Sequence, residues 1–249
     1  MTDPLEQPNA GSNLSSEKEE KLSGFYKIAE KFGVDPGIQD AIAYLNALGF
    51  NTNESCEGHI DHGSLATRVG VEALGKPTWR FVGQKEIFEK VALEHGVTLT
   101  EVSEHAKPKY GIPEEDMVYP ENWEELYAVE NEGWALTSRE EETEEFKQWR
   151  SKTDELAEHL GELMREFYRE RSAGEDIKLV VERHDDPELP HQYSFFLHNG
   201  GKNYLEMADP DEREKLSEEE RNTLKARLEA NQKEMKDFTE FLKKKYRTV

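Results

Sequence analysis

Apolar residues recur every three or four positions in five segments of the chain, which predicts five amphipathic helices. The first three cover residues 17–32, 36–49 and 84–95. The last two, at 139–172 and 217–246, are long, and the stripe of the first of these follows a heptad spacing. Capping residues mark three of the helix starts. They are Asp35-Pro36, Ser138 with Glu141, and Ser217 with Glu220.

Other segments alternate apolar and polar residues, which is typical of strands that are half buried. They cover residues 50–56, 68–73, 97–102, 177–182 and 193–198. The turn Asn199-Gly200-Gly201 predicts a hairpin into a third C-terminal strand through Tyr204 and Leu205. This order of elements predicts an α+β fold, in which mixed or antiparallel sheet layers pack against helices and the C-terminal half holds two long amphipathic helices.

Composition divides the chain into four stretches. Residues 1–16 are rich in Ser, Asn, Pro and Gly, which predicts a disordered lead-in. Residues 17–103 form an N-terminal α/β part, and residues 138–249 form a C-terminal α-β-β-β-α part. Between them, residues 104–137 combine prolines with many acids, so we expect a long acidic connection with a helical turn around Trp123.

The charge of the chain limits its partners. The 249 residues include 32 Lys and Arg against 54 Asp and Glu, a formal net charge of −22. Nonspecific binding to phosphates needs clustered Lys and Arg, so nucleic acid is not expected as a partner, although Lys243–Lys245 and Arg247 form a local basic cluster. No apolar run has the length of a membrane span, and the first 24 residues lack a signal-peptide pattern. We therefore expect a cytoplasmic protein without a membrane partner.

Residues 51–63 concentrate the candidate chemistry of the chain. They contain the only cysteine, Cys56, together with His59 and His62. A single cysteine excludes an intramolecular disulfide and a four-cysteine zinc module. Residues three apart in a straight strand point to opposite faces, so Cys56 and His59 can meet only if Gly58 bends the chain. We predict this bend, with the two side chains within about 5 Å of each other.

The run from about Val34 to Ala73 carries a resemblance to a known family. Its residues are Leu45-Asn46-Ala47-Leu48-Gly49-Phe50, Thr52, Ser55-Cys56-Glu57-Gly58-His59 and Gly63. The run resembles a family of uncharacterised bacterial proteins in which a helix precedes a T-x-x-S-C-E-G-H-x-x-x-G segment and an alternating strand. The resemblance spans residues 34–73 and implies no activity, cofactor or partner, because the family has no assigned function.

Two interpretations of this segment assign different roles to its histidines, one in a structural turn and one in a metal site. In the first it is a structural turn, with a buried Cys56 and a hydrogen-bonded His59. In the second, Cys56, His59 and His62 bind zinc at C-x2-H-x2-H spacing, and a water or an acid completes the site. Glu54 or Asp61 would then orient an imidazole from outside the ligand set.

Two further interpretations involve chemistry or binding without a metal. Cys56 is a nucleophile or redox group when His59 activates it, which makes these two the candidate catalytic residues. Alternatively, an anionic or amide ligand binds in a pocket that includes Ser55, His59 and Arg68. Glu54, Ser55 and Arg68 are therefore the candidate ligand-binding residues.

We expect from these patterns a protein that binds a small ligand or a metal ion, with zinc as the candidate, at the Cys56 and His59 segment. The alternative is a non-catalytic acidic module that binds a protein partner through the helical stripes or through residues 111–149, which hold 13 acidic and two basic residues. A third hypothesis is a nucleic-acid mimic that occupies a basic site through its negative field. The stripes of the two long C-terminal helices predict packing on the sheet or on each other, and the alternative is a homo-oligomer through these helices.

Overall fold

The structure, a computed structural model, describes residues 16–60, 65–105, 119–185, 193–200 and 215–248. Within these ranges the chain forms seven helices and four strands, which confirms the α+β class. The helices are α1 (Ser16–Lys31), α2 (Gln39–Ala47), α3 (Gln84–Glu94), α4 (Leu99–His105), α5 (Trp123–Leu136), α6 (Glu144–Phe167) and α7 (Glu218–Thr248). The strands are β1 (Asn51–Cys56), β2 (Arg68–Glu72), β3 (Leu179–Asp185) and β4 (Tyr193–Asn199). None of these helices combines the length and the apolar character needed to cross a membrane.

The four strands form one antiparallel sheet in the order β1-β2-β4-β3. Its centre joins the two halves of the chain, because Gly70 of β2 lies opposite Phe196 of β4. The N-terminal and C-terminal parts expected from composition therefore share a sheet. The further strand predicted through Tyr204 and Leu205 lies outside the described residues.

The main core covers one face of this sheet. Val69, Val71 and Leu197 point into it and are fully buried. The helices of the core contribute Ile42, Leu45, Leu160, Met164, Phe238 and Leu242. The residue Ile38, just before α2, is buried in the same cluster, which confirms that the second predicted helix packs through this apolar side. The apolar stripes of α6 and α7 are thus buried within one chain, and a homo-oligomer through these helices stays a prediction.

A second core cluster joins α3, α4 and α5. Leu126 and Val129 of α5 are buried against Phe88 and Val91 of α3. A Cβ on Gly133 would lie 2.7 Å from the Phe88 ring, so this glycine lets the two helices approach closely. The helical turn expected around Trp123 is longer than predicted, because this apolar side supports a helix of 14 residues.

The strand predicted at 97–102 is also wrong, because a capping box starts a helix there. Thr98 Oγ1 accepts a hydrogen bond from the Glu101 backbone N–H at 3.2 Å, and the Glu101 carboxylate accepts one from the Thr98 N–H at 2.8 Å. Val102 then turns inward and is 3% exposed. The alternation of apolar residues in this short run fits a helical side equally well.

The start of α6 differs from the prediction for a similar reason. Ser138 and Glu141 do not cap it; Thr143 does, and its hydroxyl accepts a hydrogen bond from the Phe146 N–H at 3.2 Å. The preceding Glu142 pairs with Phe81 in an isolated antiparallel bridge, which keeps this stretch extended.

Both ends of α7 are fixed within the chain. The predicted capping box at its start is confirmed, because the Ser217 and Glu220 side chains each accept from the other residue's N–H. At its end, Tyr246 is buried and donates a hydrogen bond to the Lys18 carbonyl at 3.0 Å. Two lysines of the basic cluster pair inside the chain, Lys243 with Glu240 and Lys245 with Glu166.

Candidate functional site

A bulge in β1 decides which face of the sheet Cys56 occupies. Glu54 is the extra residue and has a φ of +35°, in the left-handed region. Strict alternation would place Glu54 and Cys56 on the face of Val69, where an ionised carboxylate would meet the apolar core. With the bulge, Ser55 lies opposite Val69 and Cys56 lies opposite Arg68. The thiol is thereby turned to the face away from the core.

The turn after β1 bends at Gly58, as the sequence predicted. Its φ is +88°, a conformation that glycine adopts without strain. A Cβ at this position would lie 2.7 Å from Leu228 Cδ1 and 3.2 Å from the carbonyl carbon of Ala66. Gln232 of α7 donates to the carbonyls of Glu57 and Gly58, each at 3.4 Å. The turn is therefore held between β2 and the last helix.

Asp35 belongs to this site, although the sequence predicted it to be a helix cap. The following helix begins only at Gln39 and has no side-chain cap. Asp35 Oδ2 instead accepts a hydrogen bond from the Glu57 N–H at 3.0 Å and lies 3.1 Å from His59 Nε2. The Glu57 carboxylate in turn accepts from the Gly37 N–H at 2.6 Å. These contacts join the loop before α2 to the turn after β1.

Asp35, Cys56 and His59 form a compact, half-buried cluster. One ligand atom from each lies within 4.8 Å of the others, which confirms the predicted proximity of Cys56 and His59. The Asp35 and His59 side chains are 30% and 20% exposed, so the cluster remains open to solvent. The Gly58 N–H points at Cys56 Sγ, 3.3 Å away, and places a positive dipole at the sulfur.

The structure does not bring all of the predicted ligand-binding residues together. The Arg68 guanidinium is 2.8 Å from Glu54 and stacks on the Phe196 ring at 4.2 Å. Ser55 lies on the opposite face, beside Val69. A pocket that combines Ser55 with Arg68 is therefore not formed by the described residues.

Two residues predicted to bind or support a metal, Asp61 and His62, lie outside the described residues. Among the residues that the structure does describe, the Asp35 cluster is the one group of three His, Cys, Asp or Glu side chains close enough to share an ion. Sequence spacing offered no signal for Asp35, because a proline-linked cap already explained an aspartate at that position.

Comparisons of the chain with protein-family models, with curated proteins and with solved structures found no match.

Proposed function

We propose that the protein binds a zinc ion through Asp35, Cys56 and His59. The observation that carries the proposal is the approach of their three ligand atoms to within 4.8 Å of one another. Thiolate sulfur, imidazole nitrogen and carboxylate oxygen are the donors that zinc takes in proteins. Hard cations such as calcium and magnesium prefer sites made of oxygen atoms alone, so this donor set favours zinc over them.

The spacing of the donor atoms suits a small ion. Ligands at about 2.0–2.3 Å in a tetrahedral site lie about 3.3–3.6 Å from one another. Asp35 Oδ2 and His59 Nε2 are 3.1 Å apart, and the Cys56 sulfur lies within 4.8 Å of a ligand atom of each residue. A bound ion would take the place of the hydrogen bond between Asp35 and His59. A water would occupy the fourth position, or His62 would, which the sequence predicts to be a ligand.

The surrounding contacts support such a site. The Gly58 N–H faces the sulfur, which carries negative charge when it binds a metal. The Glu57 N–H holds the Asp35 carboxylate, and Gln232 holds the turn itself. These bonds fix the ligands before an ion arrives, so little side-chain freedom is lost on binding.

The test is zinc affinity, measured by competition with a chromophoric chelator on the full chain. Cys56→Ser and His59→Gln each remove one ligand and should weaken binding by at least about tenfold. The matched control is His95→Gln, because His95 Nε2 lies 3.1 Å from Glu132 in a pair of the same kind without a cysteine. Equal affinities for the natural chain and both site variants, or an equal loss in the control, would contradict the proposal.

One observation favours a second candidate function, thiol chemistry at Cys56. The His59 imidazole lies close to the thiol and is hydrogen-bonded to the Asp35 carboxylate, and these three groups also occur together in the sites of cysteine nucleophiles. Alkylation of the metal-free protein by iodoacetamide tests it, since Cys56 is the only thiol. His59→Gln should then slow alkylation by about tenfold. An unchanged rate would remove this candidate and leave the metal proposal in place.

A further inference from the structure

Helix α5 carries exposed aromatic side chains on an otherwise acidic surface. Trp123 is 42% exposed and Tyr127 is 55% exposed. Tyr119, just before the helix, is 49% exposed, and its ring centre lies 5.8 Å from that of Trp123. Large apolar groups that cluster at the surface mark interaction sites more often than isolated ones do.

The aromatic residues follow one side of the helix. Trp123, Tyr127, Glu130 and Trp134 are spaced by four, three and four residues, so they form one stripe. Glu130 is half buried between Tyr127 and Trp134. Trp134 anchors the stripe, because its ring packs edge-on against Phe88 of α3 at 5.6 Å. The stripe therefore combines flat aromatic faces with a carboxylate on a helix that is fixed to a core.

The charge around this stripe indicates which kind of partner it would bind. Residues 119–136 contain five glutamates and no Lys, Arg or His. One of them, Glu132, already pairs with His95 at 3.1 Å, whereas Glu124 is exposed and lies three residues before Tyr127, on the adjoining side of the helix. A cation that sits over a Trp or Tyr face near a carboxylate gains from both contacts.

We propose that the α5 stripe binds a Lys- and Arg-rich segment of a partner protein. A second copy of this chain is a poor occupant, since each copy carries a net charge of −22. Lys243 and Lys245 of the basic cluster are also already paired within their own chain. Phosphate-bearing partners are repelled by the same glutamates. The stripe shares no residue with the zinc site and stands independently of it.

The test uses fluorescein-labelled nonaarginine and nonalysine peptides, with fluorescence anisotropy as the readout. The double variant Trp123→Ala, Tyr127→Ala removes the aromatic faces and leaves the net charge unchanged. The matched control is Phe32→Ala, since this aromatic residue of the α1 region is also 53% exposed. We expect the double variant to bind about tenfold more weakly than the control, with nonaarginine bound more tightly than nonalysine because guanidinium groups stack on rings.

Equal affinities for the natural chain, the control and the double variant would overturn the proposal, because binding would then come from the overall charge alone. Circular dichroism of the double variant checks folding, and alanine is a good helix former at exposed positions. Light scattering, which measures self-association, distinguishes a peptide-binding stripe from a contact between two copies of the chain. A change in self-association of the double variant, with unchanged peptide binding, would identify a second copy as the occupant and contradict the proposal.

Discussion

Gly58 determines how Cys56 and His59 lie relative to each other. Its φ is positive, and the space for a Cβ is taken by Leu228 and by the backbone of Ala66. A side chain here would meet two separate penalties, backbone strain and a packing clash. The turn that forms the candidate zinc site therefore depends on this one glycine.

Gly58→Ala should lower the free energy of unfolding by about 2–4 kcal/mol, because strain and clash add. Gly33→Ala is the matched control, since Gly33 also has a positive φ, +64°, but a Cβ there would meet nothing within 4 Å. The control should lose only about 1 kcal/mol, from strain alone. Urea unfolding followed by circular dichroism measures both, and equal losses would show that the turn has room to adjust.

The residues of the site differ in how far the sequence could predict them. Cys56, His59 and the bend at Gly58 followed from residue type and strand geometry. Asp35 did not, because hydrogen bonds between a loop and a turn more than 20 residues away leave no periodic pattern. The bulge at Glu54 was equally hidden, although the position of a glutamate on the inward side of a strand is consistent with it.

At the level of single elements, α2 connects the site to the core. Asp35 lies in the loop four residues before its first residue, and the apolar side of the helix packs with Val69 and Val71 of the sheet. Leu45 is fully buried in that cluster. A helix anchored in this way holds the loop before it in a fixed place.

Leu45→Ala should cost about 2–5 kcal/mol of unfolding free energy, as truncation of a buried leucine generally does. Leu93→Ala is its counterpart on α3, where the side chain is 80% exposed, and should change stability by less than about 0.5 kcal/mol. Chemical denaturation of the two variants tests the packing. A loss below 0.5 kcal/mol at Leu45 would show that α2 is peripheral to the core.

The start of α7 gives a pH-dependent prediction. Hydrogen bonds from the Ser217 side chain and backbone lower the pKa of Glu220 below its ordinary value. The stabilisation is therefore present above the ordinary carboxyl pKa and is lost as the pH falls through the lowered one. Glu220→Gln, which keeps the hydrogen-bonding shape without the charge, should destabilise the chain more at about pH 7 than at about pH 3.

Urea unfolding at both pH values measures this difference. Glu229→Gln, at an exposed position in the middle of the same helix, controls for the loss of a negative charge. An equal effect of Glu220→Gln at the two pH values would show that the ionised carboxylate does not stabilise the cap.

Helices with long apolar stripes of their own were predictable from the sequence. Helices with a short apolar side, which are stabilised by packing against another helix, were not. Helices α6 and α7 carry long stripes of their own. The buried side of helix α5 consists of only Leu126, Val129 and Gly133. The sequence does not mark Gly133 as part of an apolar side, because its role is to make room for the Phe88 ring. Helix α4 is seven residues long, too short for its period to be distinguished from an alternating strand.

In the whole molecule, one sheet and one cluster of side chains join segments that are distant in sequence. The contact of β2 with β4 unites the two halves of the chain, a pairing that alternation within each strand could not predict. The candidate zinc site adds a second connection, between the loop before α2 and the turn after β1, which Gln232 ties to α7. A ligand that binds only the folded arrangement would stabilise all of these contacts together.

The most direct test of the proposed zinc site is X-ray absorption at the zinc edge of the zinc-loaded full chain. Because the chain has one cysteine, the account predicts one sulfur at about 2.3 Å and lighter ligands at about 2.0–2.1 Å, with the sulfur lost in Cys56→Ser. A shell of oxygen and nitrogen atoms alone would contradict this site, as would two sulfurs, because the proposed ligand set contains a single thiol.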